Sequence, residues 1–255
     1  MSDFDGLVAV VTGGSSGIGA ATAAELARRG AKVAVMDRSA PAVLNDNFEV
    51  AGVEAHHFEV ADVTDDTQVQ DAIGRIGAEF GRIDVLINNA GIGAVGDVSV
   101  NEDDEWHRVY DVNVVGTARV SRAALPWLRR SEAAAIVNTA SVAANNGLPS
   151  RALYSATKGA LVSLTYAMAA DHLADGIRVN AISPGTADTP WVRRLVDASE
   201  NAEATAENLR QRQPLGRLVS AEELAFAIAN LASPLAGSTS GTVLTVDGGL
   251  STLRV

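Results

Sequence analysis

The chain has 255 residues, 47% of them hydrophobic and 23 of them glycine, enough for one α/β domain with a large core but not for a second full domain. It has no cysteine, which excludes disulfide scaffolds, thiolate nucleophiles and thiolate metal sites. A formal charge of −11 repels phosphate backbones and anionic membrane surfaces, and there is no basic leader or apolar run of bilayer-spanning length; the expectation is a cytoplasmic protein with no nucleic-acid or membrane partner.

Leu7 to Val11 is an apolar, valine-rich run, the pattern of a strand buried on both faces of a parallel sheet. It leads into Thr12-Gly13-Gly14-Ser15-Ser16-Gly17-Ile18-Gly19. Glycines there permit a tight turn and close approach of backbone to a pyrophosphate, and a helix from Ala20 to Arg29 would aim its N-terminal amides at that charge. Ala31 to Met36 reads as the second strand. Asp37 at its end can accept hydrogen bonds from both ribose hydroxyls of an adenosine, which argues for NAD. Arg38 could meet a 2′-phosphate, but Asp37 would face that phosphate with like charge, so NADP is the lesser expectation.

Through the third strand His56, Phe58 and Val60 alternate with His57 and Glu59. Adjacent histidines on a strand point to opposite faces and make a poor metal pair, so no metal is expected. Asp62-Val63 follows at the end of this strand; Asp62 could serve a ligand there or be a turn residue, and a cap is the competing role of Thr64 before the helix Asp66 to Phe80. Ile83 to Ile87 is the fourth strand and ends in Asn88-Asn89-Ala90-Gly91. The helical stretch from Glu102 to Arg130 carries Asn113, a mildly unfavourable residue inside a helix that invites an explanation.

Ile136 to Ser141 reads as a short buried strand with a hydroxyl at its tip. In the helical segment Ala152 to Asp175, Tyr154 and Lys158 stand four residues apart and share one face. A free phenol has a pKa of about 10, so use as a base near neutral pH needs a fall of about 3 units, roughly 4 kcal/mol, of which Lys158 can supply part. Ile177 to Ile182 is the sixth strand and ends in Ser183-Pro184-Gly185. Thr186 and Thr189 follow, within reach of a nicotinamide carboxamide or phosphates. The polar stretch from Trp191 to Gln213 reads as a mobile substrate lid within about 186–213. The helix Ala221 to Ala232, the strand Val243 to Val246 and the turn Asp247-Gly248-Gly249 complete the chain.

Strands alternating with helices predict a single Rossmann-type domain over 1–255: a doubly wound parallel sheet of about seven strands with helices on both faces. Gly13, Asp37, Asp62, Asn88, Ser141 and Pro184 all fall just past strand ends, where one crevice can collect them.

The TGxxxGIG loop, the Asn88-Asn89-Ala90-Gly91 tetrad, Ser141 and the Tyr154-xxx-Lys158 pair resemble the short-chain dehydrogenase/reductase family over nearly the whole chain. The resemblance implies a nicotinamide-dependent enzyme that moves a hydride between a secondary alcohol or ketone and its cofactor. It makes Tyr154 the acid/base, Lys158 the group that lowers its pKa, Ser141 the orienter of the substrate oxygen, and Asn113 the holder of a water joining the lysine to solvent. The cofactor would lie on Gly13, Ser15, Ser16, Gly17, Ile18, Gly19, Asp37, Asp62, Val63, Asn89, Ala90, Gly91, Tyr154, Lys158, Pro184, Gly185, Thr186 and Thr189. Family members commonly pair the tyrosine helix and the one before it, and the small-residue stripe Ala156, Ala160, Ser163, Ala167 permits such packing unless it faces the sheet; a homotetramer is expected.

Pro184 to Trp191 and Arg212 to Arg217 look like the branch with keto-deoxy sugar-acid dehydrogenases and cytosolic hydroxybutyrate dehydrogenases. That implies a carboxylate-bearing small substrate near Ser141, Tyr154 and Trp191, held by Arg151 and Arg212, with Arg193 or Arg194 as a third arginine nearby. The alternatives are a reductase of a neutral carbonyl, polyol or acyl carrier thioester, or a catalytically silent NAD-binding protein.

Overall fold

Alternation of apolar side chains between two faces builds the centre of this molecule, a computed structural model that describes residues 2–39, 49–50, 53–54, 56–199 and 201–254. In β1 (Val8–Thr12) and β2 (Lys32–Asp37), Ala9, Val11, Val33 and Val35 join one buried cluster with Leu26, Leu224 and Ile228. Their neighbours Val10, Ala34 and Met36 join a second cluster with Val69, Ile73, Val120 and Leu128. The strands are therefore apolar on both sides, as a sheet between two helical layers requires. Each fully buried Leu, Ile or Val contributes about 1.5–3 kcal/mol relative to exposure.

The remaining strands are β3 (His57–Val60), β4 (Val85–Asn88), β5 (Ala135–Thr139), β6 (Arg178–Pro184) and β7 (Val243–Val246). They form one seven-stranded sheet in the order β3-β2-β1-β4-β5-β6-β7, every pair parallel. The chain builds outward from β1 to β3 on one side and then crosses to β4 on the other. That reversal opens a crevice at the carboxyl ends of β1 and β4. A separate antiparallel hairpin pairs Glu49–Val50 with Val53–Glu54.

The helices are α1 (Gly17–Arg28), α2 (Asp66–Phe80), α3 (Asp103–Tyr110), α4 (Gly116–Leu128), α5 (Ala152–Asp171), α6 (Pro190–Asp197), α7 (Ala202–Gln211) and α8 (Ala221–Ala232). Several differ from the sequence expectation for local reasons. The cap of α2 is Asp65, whose carboxylate accepts from Gln68 N at 3.0 Å, and not Thr64. The reach from Glu102 to Arg130 is interrupted by a π-helical turn, Asp111–Val115, that contains Asn113. The stretch expected as a loose lid folds into α6 and α7, because Thr189, followed by Pro190, and Asn201 supply their N-caps. α5 stops at Asp171 rather than Asp175, giving way to a turn in which Gly176 has φ 72°. Among the described residues no helix is long and apolar enough to cross a membrane.

Candidate active site

The turn after β1 is shaped for an anion. Gly13 and Gly17 have φ 61° and 55°, in the left-handed region that glycine adopts without strain. A Cβ on Gly13 would stand 2.9 Å from Ala90 Cα, and one on Gly19 would stand 2.2 Å from Gly13 O, so this packing requires glycine. α1 begins at Gly17 with no acidic residue in its first turn and no side-chain bond from its N-cap, Ser16, which leaves its first amides available. The buried Ser15 hydroxyl has no partner among the described residues. Thr12, whose role is not readable from residue type, ties this loop to β4: its hydroxyl accepts from Asn89 N and Ala90 N at 3.0 Å each. The Asn89 amide in turn donates to Thr12 O and Gly13 O at 3.2 and 3.1 Å.

Asp37 ends β2 beside this loop and accepts from Ser15 N at 3.2 Å and from Arg38 N at 2.8 Å. Past β3, the Asp62 carboxylate is engaged in its own turn, accepting from Thr64 N and the Thr64 hydroxyl at 2.9 and 2.8 Å. Val63 packs on Gly116, where a Cβ would come within 2.8 Å of Val63 Cγ2. On the far side of the crevice Pro184 and Gly185 end β6, and Thr189 and Pro190 bear on Gly17 at 3.5 and 3.7 Å from a Cβ built there. The glycine loop, Asp37, the tetrad after β4 and the Pro184–Thr189 segment therefore line one crevice. Left-handed glycines, free helix amides, an unpartnered buried hydroxyl and a strand-end carboxylate fit a dinucleotide.

Tyr154 stands in the first turn of α5 and carries a hydrogen bond with the hydroxyl of Ser141, which lies just beyond the end of β5. Burial raises the Tyr154 phenol above its ordinary value; the Ser141 bond and the charge of Arg151 act the other way. One helical turn on, Lys158 sets its Nζ over the Tyr154 ring, 5.6 Å from the ring centroid, and donates to Thr139 O at the end of β5 at 2.7 Å. It is 5% exposed, and burial lowers its pKa to about 8.

Asn113 is fully buried and clamps two neighbours. Its Oδ1 accepts from Ile92 N at 2.8 Å, and its Nδ2 donates to Ile92 O at 2.9 Å and to Thr157 Oγ1 at 3.1 Å. Both ends of the amide are thus committed to fixing the segment after Gly91 against α5. The Asn113 carbonyl accepts from the Thr117 hydroxyl at 2.9 Å.

Arg151 precedes α5 and is half-buried. It has no acidic partner among the described residues, and its guanidinium donates to Ala94 O at 3.3 Å. Burial lowers its pKa, Tyr154 raises it, and Arg212 is near enough for its charge to lower it further. Arg193, one of two candidates for a third arginine, is taken up by Asp188 at 3.0 Å, while Arg194 is exposed. Trp191 stacks on Tyr154 with ring centroids 6.4 Å apart.

Other contributors escaped the sequence analysis. Thr139 O holds Lys158, but a main-chain carbonyl leaves no signature in residue type. Gln213, 1% exposed, donates to Thr186 O at 3.1 Å and fastens the end of α7 to the strand-end loop; a polar residue just ahead of Pro214-Leu215-Gly216 was its only signal.

Comparison with known proteins agrees with this geometry. Residues 13–251 match the family model described as enoyl-(acyl carrier protein) reductase. The chain is 42% identical over 247 residues to cis-4-hydroxycyclohexanecarboxylate dehydrogenase of Sinomonas cyclohexanicum, covering 95% of each chain. It is 36% identical over 250 residues to dehydrogenase/reductase SDR family member 6 of Danio rerio, covering 98% of this chain and 99% of the relative. The solved structure of NAD+-bound xylitol dehydrogenase superposes with a TM-score of 0.89 at 34% identity, covering 96% of this chain and 99% of that one. With a glycine-loop crevice, a hydroxyl-bonded tyrosine and end-to-end relatives, the chain belongs to the short-chain dehydrogenase/reductase family, oxidoreductases acting on CH–OH groups.

Proposed function

We propose that the protein is an NAD-dependent dehydrogenase of a small, carboxylate-bearing secondary alcohol, and that Tyr154 is its acid/base. The observation that carries the reading is the Ser141–Tyr154 hydroxyl pair beside the half-buried Arg151, whose charge acts on Tyr154 and feels that of the exposed Arg212; neither arginine has an acidic partner among the described residues. The nicotinamide, when bound, accepts or returns the hydride. In alcohol oxidation Tyr154 takes the proton of the substrate hydroxyl while Ser141 holds the same oxygen in place; in reduction Tyr154 returns it. Lys158 places a buried positive charge beneath the ring, and Asn113 is a positioning residue that keeps Ile92 and α5 in register. Cofactor contacts fall to the amides and hydroxyls of Gly13, Ser15, Ser16, Gly17, Ile18 and Gly19, to Asp37 for the ribose, Asp62 and Val63 for the adenine, Asn89, Ala90 and Gly91 beneath the ring, and Pro184, Gly185, Thr186 and Thr189.

Two measurements test the finer parts. Asp37 would repel a 2′-phosphate, so kcat/KM with NAD is expected to exceed that with NADP. Asp37→Ala should shrink the ratio by about 10- to 100-fold, the worth of a charged hydrogen bond; a wild-type preference for NADP would sink the NAD assignment. For the arginines, the substrates are small hydroxy acids and their neutral analogues. Arg212→Met should lower kcat/KM on the acids by about 10- to 100-fold and leave the neutral analogues within about threefold. Arg151→Met should slow both classes, because its charge also acts on Tyr154. Equal losses on acids and neutral analogues in Arg212→Met would dispose of the carboxylate pocket and leave the dehydrogenase standing.

We also propose a homotetramer. In the small-residue stripe Ser163 and Ala167 are exposed and Ala156 and Ala160 half-buried, Tyr166 beside them is 50% exposed, and the buried face of α5 is Leu153, Thr157, Leu161, Thr165 and Met168, which supports an outward-facing end of the stripe. A light-scattering mass of one chain would refute this assembly.

A further inference from the structure

Trp191 sits where two independent backbone segments meet. It occupies the second position of α6, whose start is fixed from two sides. Thr189 and Pro190 stand 3.5 and 3.7 Å from where a Cβ on Gly17 would lie, and Asp188 N donates to Val219 O at 2.8 Å. From there the indole reaches across to Gly93. A Cβ on Gly93 would stand 2.3 Å from Trp191 Cζ2 and 3.0 Å from Cε2, so the six-membered edge of the indole occupies the volume a side chain would fill. Gly93 cannot yield easily, because the residue before it, Ile92, is held at both its N–H and its carbonyl by the buried Asn113. Between these two anchors the indole lies nearly parallel to the Tyr154 ring, at an interplanar angle of 26°. At 38% exposure, one face of this large apolar ring remains open.

We propose that Trp191, seated in the notch at Gly93, is the specificity-determining wall of the site and sets the upper size of the substituent that a secondary alcohol can carry on that side of Tyr154. The inference rests on Tyr154 as the acid/base and deepens that reading. A flat wall whose edge is seated against Gly93 admits a methyl, a methylene or the edge of a ring, and disfavours branched or bulky groups by overlap with the indole. Differences of one or two methylenes in such a pocket correspond to about 10- to 200-fold in kcat/KM. Neither residue is assigned a proton or a charge, so the effect belongs to the ratio between substrates and not to the chemistry of any one of them.

The test uses the full-length protein with NAD and a series of secondary alcohols from 2-propanol to branched and cyclic members, with and without a carboxylate. Trp191→Ala is expected to raise kcat/KM for the branched and cyclic members relative to the small ones by about 10-fold or more, with Trp191→Phe intermediate. The seat is tested without turnover. Gly93→Ala should expel the indole and raise acrylamide quenching of tryptophan fluorescence, and the added quenching should vanish in Gly93→Ala/Trp191→Phe. No gain for any bulky alcohol in Trp191→Ala, or unchanged quenching in a folded Gly93→Ala protein, overturns the proposal. Failure of the Tyr154 reading appears separately, as turnover that survives Tyr154→Phe.

Discussion

Tyr154→Phe is expected to lower kcat/KM on the best alcohol by about 10²- to 10⁴-fold, the usual contribution of a positioned acid or base. The substitution keeps the ring that stacks on Trp191 and removes only the hydroxyl and its bond with Ser141, which costs stability about 1 kcal/mol. Folding and NAD binding should therefore survive, and binding of NAD separates a missing proton carrier from a collapsed site. The pH dependence has a definite sign. Oxidation needs the phenolate, so its rate rises with pH toward the pKa of Tyr154, which burial raises. Reduction needs the phenol and falls across the same interval. In Arg151→Met the profile on neutral alcohols should move to higher pH, because the charge that lowers the phenol pKa is gone. Wild-type turnover in Tyr154→Phe would reject the assignment.

The second large effect separates function from stability at Lys158. Its ammonium is 5% exposed and its pKa is lowered to about 8 by burial. The folded pKa lies below the unfolded value of about 10.4, so the penalty for holding the charge is fully present below about pH 8. Stability contributed by this group rises as pH increases from the folded to the unfolded value. The gross penalty is about 3 kcal/mol, and Lys158→Met also strips Thr139 O of its donor at a cost of about 1–3 kcal/mol. The variant should accordingly melt no lower than wild type at pH 7, with any advantage shrinking above pH 8. Over the same range its kcat/KM should fall by about 10²-fold or more, since the charge beneath Tyr154 is lost. Undiminished activity would remove Lys158 from the reaction. A melting temperature lowered by 10 °C or more, about 3–5 kcal/mol for a chain of this size, would make the lysine a structural anchor instead.

The sheet was legible in the sequence because its signals are local. Apolar runs, and alternation in His56 to Val60, marked the strands of the main sheet to within one or two residues, and the candidate site residues fall at strand ends as in a doubly wound topology. The Tyr154–Lys158 spacing likewise put both side chains on α5, since helical periodicity depends on sequence separation alone. Where each group points was decided by tertiary structure. Lys158 donates to Thr139 O because β5 ends beneath α5 while its ammonium stays over the Tyr154 ring, and Arg151 adds a second charge that acts on the phenol. The π-helical turn at Asn113 and the notch at Gly93 depend on backbones distant in sequence, Ile92 for one and α6 for the other. Composition fixed which residues could do chemistry; the packing of strand ends against α5 and α6 determined which of them meet, because side-chain direction, burial and local charge arise only when distant segments share one volume.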